Sequence, residues 1–222
     1  MERKVAVTTI AAGEWLTPKG RKRREQLLRA ALVVVGRDGY AGATQRAIAT
    51  EAGVPPASTH YFFDSVDHLI SEAAKFYLWE RVAVYNRAID HFTVEGLSQE
   101  QAIRNAARLV GSVSIQSRSA QFEIYLNARR HPEIAPAVDA AISEIESIIV
   151  RLLGSLGVPN PDRWAGPALA MIDGYAIRAV AGGPAAVTDL EDALVALVET
   201  ADTRHRASWA PPIGAASDVT PL

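Results

Sequence analysis

With 222 residues, of which 49% are hydrophobic and 22% charged, the chain is long enough for a sizeable core and resembles an ordinary soluble globular protein in composition. The absence of cysteine excludes disulfides, thiolate metal sites and cysteine nucleophiles, and the apolar runs are too short for a transmembrane helix or a signal peptide. The net charge of −2 excludes a uniformly basic protein, and the composition as a whole predicts a cytoplasmic location.

The charge is divided unevenly along the chain. Residues 1–64 carry 10 Lys/Arg and 6 Asp/Glu, a net charge of +4, whereas residues 65–222 carry 13 and 19, a net charge of −6. A basic N-terminal part joined to an acidic remainder indicates a module that binds a polyanion, attached to a body that does not.

A basic segment opens the ordered part of the chain. Residues 1–18 are predicted to form a flexible arm that ends in a helix start, Thr17-Pro18. Residues 19–24 then place five positive charges in six positions. We expect Arg21, Lys22 and Arg23 to contact phosphates, which would release counterions, although a merely solvated helix face is the alternative interpretation.

Residues 19–64 have the pattern of a helix-turn-helix domain. Helix 1 extends to about Val35 or Arg37, and Thr44 is a good N-cap for a short second helix. Gly53 can adopt the left-handed conformation that ends this helix, and Pro55 and Pro56 begin the next one, which extends to Phe62. The second helix of such a pair enters the DNA major groove.

The N-terminal part of the recognition helix is the part that meets base edges. This rule places Pro55, Pro56, Ala57, Ser58 and Thr59 in or near the groove. Of these, only Ser58 and Thr59 have hydrogen-bonding side chains, and the others offer apolar contacts to thymine methyl groups.

The segment from Arg24 to Leu69, about a fifth of the chain, resembles the DNA-binding domain of the tetracycline-repressor-type (TetR) regulators. The matching residues are Gly36-Arg37-Asp38-Gly39-Tyr40, Thr44, Ile48-Ala49, Ala52-Gly53-Val54, His60-Tyr61-Phe62-Phe63 and Leu69. The resemblance implies phosphate contacts by Thr44, Gln45, Arg46, His60 and Tyr61, with core packing as the alternative for the last two. The chain departs from the family pattern at Val66, where a Lys or Arg is usual.

The remainder of the chain, residues 65–201, is predicted to be a helical body. Helix 4 extends from a Ser65 cap to about Phe92, and capping boxes at 98–101 and 188–191 open helices 5 and 9. Helix 6 is expected from about Ser119 to Arg130, and helix 8 after the cap Asn160. Residues 202–222 are predicted to be a disordered tail. The fold class is therefore all-α, with about nine helices.

The resemblance also implies what the body does. In the family, helices 8 and 9 pair with their mates as a four-helix bundle, so we expect a homodimer on an inverted-repeat DNA operator. A pocket between helices 4 to 8 would hold a moderately large, mostly apolar effector that releases the protein from DNA, as in a repressor. The candidate ligand-binding residues are aromatic or polar, with core packing as the alternative for each: Trp79, Tyr85, Phe92, Phe122, Tyr125, Asn127, Met171 and Tyr175.

The sequence also bears on two other classes of function. An enzyme is not expected, because the five histidines are scattered and no catalytic, phosphate-loop or metal-binding motif is present, so neither a metal nor a cofactor is expected. A helical protein-interaction module with a degenerate DNA-binding head is the remaining alternative, supported by Val66 and by the poor hydrogen-bonding capacity of Pro55-Pro56-Ala57.

Overall fold

The computed structural model describes residues 16–94, 96–182 and 187–206. Within these ranges the secondary structure consists of nine α-helices without strands, which confirms the all-α prediction. The helices are α1 (Pro18–Gly42), α2 (Gln45–Glu51), α3 (Ala57–Phe62), α4 (Val66–Val94), α5 (Gln99–Gly111), α6 (Ile115–Ala128), α7 (Ala135–Ser155), α8 (Pro161–Val180) and α9 (Val187–Arg206).

Both predicted termini fall largely outside the described residues. Of the arm predicted at residues 1–18, only the last three residues are described, and Thr17 caps α1 by accepting a hydrogen bond from the Gly20 amide at 3.2 Å. Helix α9 extends to Arg206, beyond the start of the tail predicted from residue 202, and the remaining residues of that tail are not described.

Helices α1 to α3 form an N-terminal head, which has its own apolar core. Thr44 caps α2 by accepting a hydrogen bond from the Ala47 amide at 3.1 Å. Gly53 has a φ of +63°, which L side chains rarely adopt, and it turns the chain from α2 towards α3 as predicted. The core between the three helices consists of fully buried side chains, among them Leu27, Leu28, Val34, Ile48 and Phe63.

Helix α4 connects the head to the body. Ser65 caps it by accepting a hydrogen bond from the His68 amide at 3.0 Å, as predicted. With 29 residues, the helix is about 43 Å long. Leu69 and Ile70, near its start, belong to the head core, whereas Leu78 and Ile89 belong to the body core. One continuous helix therefore contributes residues to the core of the head and to the core of the body.

Helix α6 packs closely on α1 and makes a second connection between body and head. A Cβ atom on Gly36 would lie only 2.6 Å from the Gln116 carbonyl oxygen, so the two helices approach at a distance that only glycine permits. Near the end of α1, the Tyr40 amide donates a hydrogen bond to Glu123 Oε2 at 3.1 Å. The Tyr40 hydroxyl lies 3.1 Å from His131 Nδ1 in the segment that follows α6.

Some of the predicted helix ends are confirmed and others are wrong. The capping box of Ser98 and Gln101 is present. Helix α6 begins at Ile115, four residues earlier than the predicted start near Ser119, because Ser114 caps it. Asn160 stands before α8 in a left-handed conformation (φ 51°) and its side chain makes no capping hydrogen bond.

The predicted capping box of Thr188 and Glu191 is also wrong. Helix α9 already begins at Val187, which places Thr188 inside the helix. Glu191 is instead buried and forms ion pairs with Arg104 and Arg108 of α5, at 3.3 and 2.9 Å. The carboxylate therefore joins α9 to α5. Among the described residues, no helix is both long and apolar enough to cross a membrane.

Candidate DNA-binding surface and ligand cavity

The candidate DNA-binding surface consists of the N-terminal ends of α2 and α3. Thr44 and Arg46 are exposed at the start of α2, and Gln45 between them is half-buried. Pro55, Pro56 and Ala57 are exposed at the start of α3, and Ser58 is half-buried. Apolar groups and one hydroxyl therefore face solvent where a recognition helix would meet base edges.

His60 and Tyr61 lie on the outside of α3 rather than in the core. His60 is exposed, and Tyr61 is 66% exposed with its ring edge-on to Phe62 at a centroid distance of 4.7 Å. The alternative of core packing is therefore wrong for both residues. A tyrosine held in this way on a neighbouring ring presents its hydroxyl to solvent, where a phosphate could accept a hydrogen bond.

The prediction that Thr59 contacts bases is wrong. Its side chain is fully buried, and its hydroxyl donates a hydrogen bond to the Pro56 carbonyl at 2.7 Å and lies 3.4 Å from Gln45 Oε1. Thr59 therefore joins α3 to α2 and is not available to a base. The sequence signal was present, because Thr59 and the buried Phe63 are spaced i, i+4 and share one face of the helix.

The basic segment at the start of α1 does not present all its charges to solvent. Lys22 is exposed and Arg23 is half-buried, while Arg21 donates a hydrogen bond from Nη1 to the Leu16 carbonyl at 2.7 Å. Arg24 turns inwards, pairs with Glu72 at 2.7 Å and stacks over the Phe63 ring at 5.3 Å. Lys22 is thus the residue of the three predicted phosphate contacts that is most freely presented.

A cavity of about 120 Å³ lies in the body between α4, α5, α6, α7, α8 and α9. Its lining is mainly aliphatic and includes Ile145, Ile148 and Leu152 of α7 together with Leu194 and Val198 of α9. The polar lining residues are few: Tyr77, Arg81, Tyr85, Arg118, Gln121, Tyr125 and Asp173. A mostly apolar cavity with a few polar groups is typical of a small-molecule site.

Of the predicted ligand-binding residues, the structure brings Tyr85 and Tyr125 together at this cavity. Trp79, Met171 and Tyr175 pack on the body cores without lining it, and Tyr175 donates a hydrogen bond to the Asp189 carbonyl at 3.3 Å. The remaining predicted residues are also not among the lining ones.

Phe122 and Asn127 are turned towards other parts of α6. The Phe122 ring lies edge-on to Tyr125 at 6.3 Å, and Asn127 Nδ2 donates to the Glu123 carbonyl at 2.8 Å. The side chain of Phe92 lies outside the described residues. Aromatic type alone was a poor guide, because it does not tell which face of a helix points inwards.

Two of the polar residues that the sequence interpretation missed, Tyr77 and Arg81, lie at helical spacing from the correctly predicted Tyr85. Tyr77, Arg81 and Tyr85 recur every four residues along one face of α4, and all three line the cavity. Asp173 interrupts an otherwise apolar face of α8 between Leu169 and Ala176. A charged residue on an apolar helix face was the signal available in the sequence.

Burial controls the protonation of the polar groups around the cavity. It raises the pKa of Tyr77 to about 12, and it also raises the pKa values of Tyr85 and Tyr125, with the nearby Asp173 carboxylate adding to the effect on both. Burial raises the pKa of Asp173 itself to about 6. Near neutral pH the tyrosines are therefore uncharged, while Asp173 is close to its point of ionisation.

A helix-turn-helix head, joined by one long helix to a helical body with an internal cavity, defines a DNA-binding transcriptional regulator that responds to a ligand. Comparison with known proteins identifies the family. Residues 27–73 match the family model of bacterial regulatory proteins of the tetR family, and residues 97–200 match that of the tetracyclin repressor-like C-terminal domain. The chain therefore belongs to the TetR family.

Named relatives agree with this assignment. The chain is 31% identical over 187 residues to the HTH-type transcriptional regulator BetI of Brucella suis, covering 80% of this chain and 88% of BetI. It is 34% identical over 137 residues to the HTH-type nicotine-responsive transcriptional repressor HdnoR of Paenarthrobacter nicotinovorans, covering 59% of this chain and 67% of HdnoR.

A solved structure shows the same fold. A TetR-family member from Streptomyces coelicolor superposes with a TM-score of 0.62 at 26% sequence identity, covering 79% of this chain and 98% of that protein. The alternative of a protein-interaction module with a degenerate head is not favoured by these comparisons.

Proposed function

We propose that this regulator is a cytoplasmic repressor that binds an inverted-repeat operator as a homodimer and leaves it when a small organic effector enters the body cavity. The observation that carries the proposal is the exposed surface at the N-terminal ends of α2 and α3. There Thr44 and Arg46 face solvent beside the exposed start of the recognition helix, and Tyr61 is exposed near the end of that helix. Side chains of these types bind phosphate oxygens, which position a protein on DNA.

The roles within this surface differ. Arg46, His60, Tyr61 and the basic residues at the start of α1 would bind phosphates and supply most of the affinity. Pro55, Pro56, Ala57 and Ser58 would contact base edges and supply sequence preference. Gln45, half-buried beside Thr59, would hold α3 at a fixed position relative to α2.

A second copy of the chain is the proposed partner of the outer face of α8. Pro167, Ala170 and Ile177 are exposed on this helix, and a Cβ atom on Gly174 would meet no atom within 4 Å. These positions follow the i, i+3 and i+7 spacing of one helix face, so they form an apolar stripe with small residues that permits close packing. Two-fold pairing of chains matches the two-fold symmetry of an inverted repeat.

Helices α4 and α6 would carry the signal from the cavity to the head. Tyr77 and Tyr85 of α4 line the cavity, while Leu69 and Ile70 of the same helix lie in the head core. On α6, Tyr125 lines the cavity and Gln116 lies against Gly36 of α1. An effector that binds the DNA-free conformation more tightly than the DNA-bound one would shift the protein to the DNA-free conformation. The distance between the two recognition helices would then no longer match the operator, which would be released.

The nature of the effector is suggested by the cavity and by one relative. The lining is mostly aliphatic with tyrosine hydroxyl groups, which suits a small organic molecule. HdnoR is named as nicotine-responsive, so a relative of this chain responds to a small molecule of this kind.

The test measures DNA release directly. Compounds that raise the melting temperature of the chain are added to its complex with a duplex that it selects, and fluorescence anisotropy follows dissociation. We expect at least one such compound to weaken DNA binding about tenfold or more, a coupling free energy of about 1.4 kcal/mol. Stabilising compounds that leave DNA affinity unchanged would contradict an effector role for the cavity.

A further inference from the structure

The cavity contains an acidic side chain that forms no ion pair with a described residue. Among the described residues that line it, Asp173 carries the only carboxylate, and it has neither an ion pair nor a hydrogen bond to another described residue. Partly burying a carboxylate in an apolar environment without a partner is unfavourable, because the protein does not replace the water that it displaces. Such a group is expected at a binding site rather than in a structural role.

The two arginines of the cavity are engaged elsewhere. Arg118 is buried, and its guanidinium donates hydrogen bonds to the Val110 carbonyl at 2.7 Å and the Val113 carbonyl at 3.1 Å. It therefore satisfies carbonyl groups at the C-terminal end of α5. The Arg81 guanidinium lies over the Tyr85 ring at 5.4 Å. Neither arginine forms an ion pair with Asp173.

Three tyrosines line the cavity together with this carboxylate: Tyr77, Tyr85 and Tyr125. Besides burial, the Asp173 carboxylate raises the pKa values of the Tyr85 and Tyr125 hydroxyl groups, while the charges of Arg81 and Arg118 lower the pKa of Tyr85. The faces of tyrosine rings attract cations, and an ammonium group between a carboxylate and aromatic rings is a well-known arrangement for recognising organic amines.

We propose that the effector is an organic cation, an aryl or alkyl amine whose ammonium group lies against the Asp173 carboxylate and the ring of Tyr125. This inference rests on the proposed function, because it names the ligand class of the same cavity. The apolar part of the ligand packs among the isoleucines and leucines of α7 and α9. The cationic group supplies the partner that Asp173 lacks, and the aliphatic lining supplies affinity without further charges.

The test uses three probes of similar size in the absence of DNA. They are phenyltrimethylammonium, a permanent cation; tert-butylbenzene, its uncharged carbon isostere; and benzoate, an anion. Calorimetric titration of the full chain is expected to give the tightest binding for the cation. Tighter binding of benzoate would overturn the proposal in favour of recognition by Arg81 and Arg118, and binding of none of the three would overturn it as well.

The variant that isolates the carboxylate is Asp173→Asn, and its matched control is Asp162→Asn, which removes an exposed charge from the same helix outside the cavity. Asp173→Asn is expected to weaken phenyltrimethylammonium binding about tenfold or more while changing the affinity for tert-butylbenzene less than twofold. Asp162→Asn is expected to change neither. Equal losses for both probes in Asp173→Asn would indicate a packing defect and would overturn the proposal.

A pH profile gives an independent readout. Asp173 faces Tyr77, Arg81 and Tyr85 from α4 and Arg118 and Tyr125 from α6, while α5, α7 and α9 contribute apolar lining residues. The tyrosines stay neutral between pH 5 and 8, since burial raises their pKa values. Binding of the permanent cation is therefore expected to tighten as pH rises through about 6 in the parent chain. A flat profile there would contradict the proposal.

Failure of this inference and failure of the proposed function give different results. Asp173-dependent binding of the cation without any release of DNA would preserve the cation site and refute its role as an effector site. Release of DNA by tert-butylbenzene or benzoate, with no requirement for Asp173, would preserve the effector-responsive regulator and refute the cation site.

Discussion

At the residue scale, single side chains on α2 and α3 divide into those that face solvent and those that hold the helices together. Arg46 is exposed at the start of α2, whereas Thr59, predicted from its residue type to contact bases, is fully buried. The difference arises because a hydroxyl group can satisfy the protein backbone as readily as a base edge. The residue that remains for hydrogen-bonded base contact at the start of α3 is therefore Ser58.

Substitution of Arg46 by alanine is expected to weaken DNA binding by a similar factor on all sequences and to reduce the salt dependence of binding by about one counterion. Ser58→Ala is expected to change the preference among sites with little effect on the salt dependence. Titrations on a panel of duplexes at two salt concentrations measure both. Arg130→Ala, at an exposed position in the turn that follows α6, serves as the control. Identical site profiles for Arg46→Ala and Ser58→Ala would refute this division of roles.

The raised pKa of Asp173 predicts that the free energy of unfolding depends on pH. Its pKa in the folded protein is about 6, above the value of about 3.9 expected in the unfolded chain, because burial disfavours the charged form. Between these values the unfolded state has already lost its proton while the folded state retains it. The free energy of unfolding is therefore expected to fall as pH rises from about 4 to about 6.

The comparison with Asp173→Asn isolates this effect. Denaturant unfolding of both chains across the same pH range should show the additional fall in the parent chain, and Asp162→Asn should retain it. An Asp173→Asn chain whose pH dependence matches that of its parent would contradict the assignment of this carboxylate as partly buried and unpaired.

At the element scale, the contact between α1 and α6 depends on the absence of a side chain at Gly36. Alanine there is expected to destabilise the fold by about 1–3 kcal/mol, since its Cβ would lie 2.6 Å from a backbone carbonyl oxygen and the helices would have to separate. Gly166→Ala, inside α8, is the matched control, because its Cβ would lie 3.6 Å from the nearest atom. This control is expected to be neutral or to stabilise the helix by about 1 kcal/mol.

Thermal and denaturant unfolding measure the stability of the two variants. Release of the operator by an effector measures the coupling between the cavity and the head. If Gly36→Ala left both stability and effector response unchanged, close packing of α6 on α1 would not be the connection between body and head.

Element boundaries also show what the sequence could and could not predict. The caps at Thr44, Ser65 and Ser98 were predicted because a cap is a local hydrogen bond between residues close in sequence. Glu191 was misassigned because its ion pairs are to α5, more than eighty residues away. Which residues of α4 and α8 face the cavity likewise depends on how helices distant in sequence pack together. Hydrophobic periodicity therefore predicted the helices, but it did not predict which of their residues line the cavity.

At the scale of the whole molecule, the cavity and the recognition helices can be coupled only if two heads are held at a fixed distance. The exposed stripe on α8 is the surface on which that distance would depend, and Ile177 is its largest exposed side chain, at 42%. Ile177→Glu is expected to shift the chain from dimer to monomer, because two buried carboxylates would face each other across a two-fold axis.

Sedimentation velocity and light scattering measure the change in mass. Leu126→Glu, at an exposed leucine on α6 outside the stripe, provides the control and is expected to leave the dimer intact. Should Ile177→Glu remain a dimer that binds DNA as before, the interface would have to lie on a different face of the molecule.

The measurement that tests the central claim most directly is selection of bound duplexes from a random pool, followed by titration of the enriched sequence at two salt concentrations. A dimeric, sequence-specific regulator predicts an enriched inverted repeat with half-sites about 34–36 Å apart and a steep fall of affinity with salt. A pool without enrichment, with weak binding that does not depend on salt, would contradict the assignment of α2 and α3 as a DNA-binding surface.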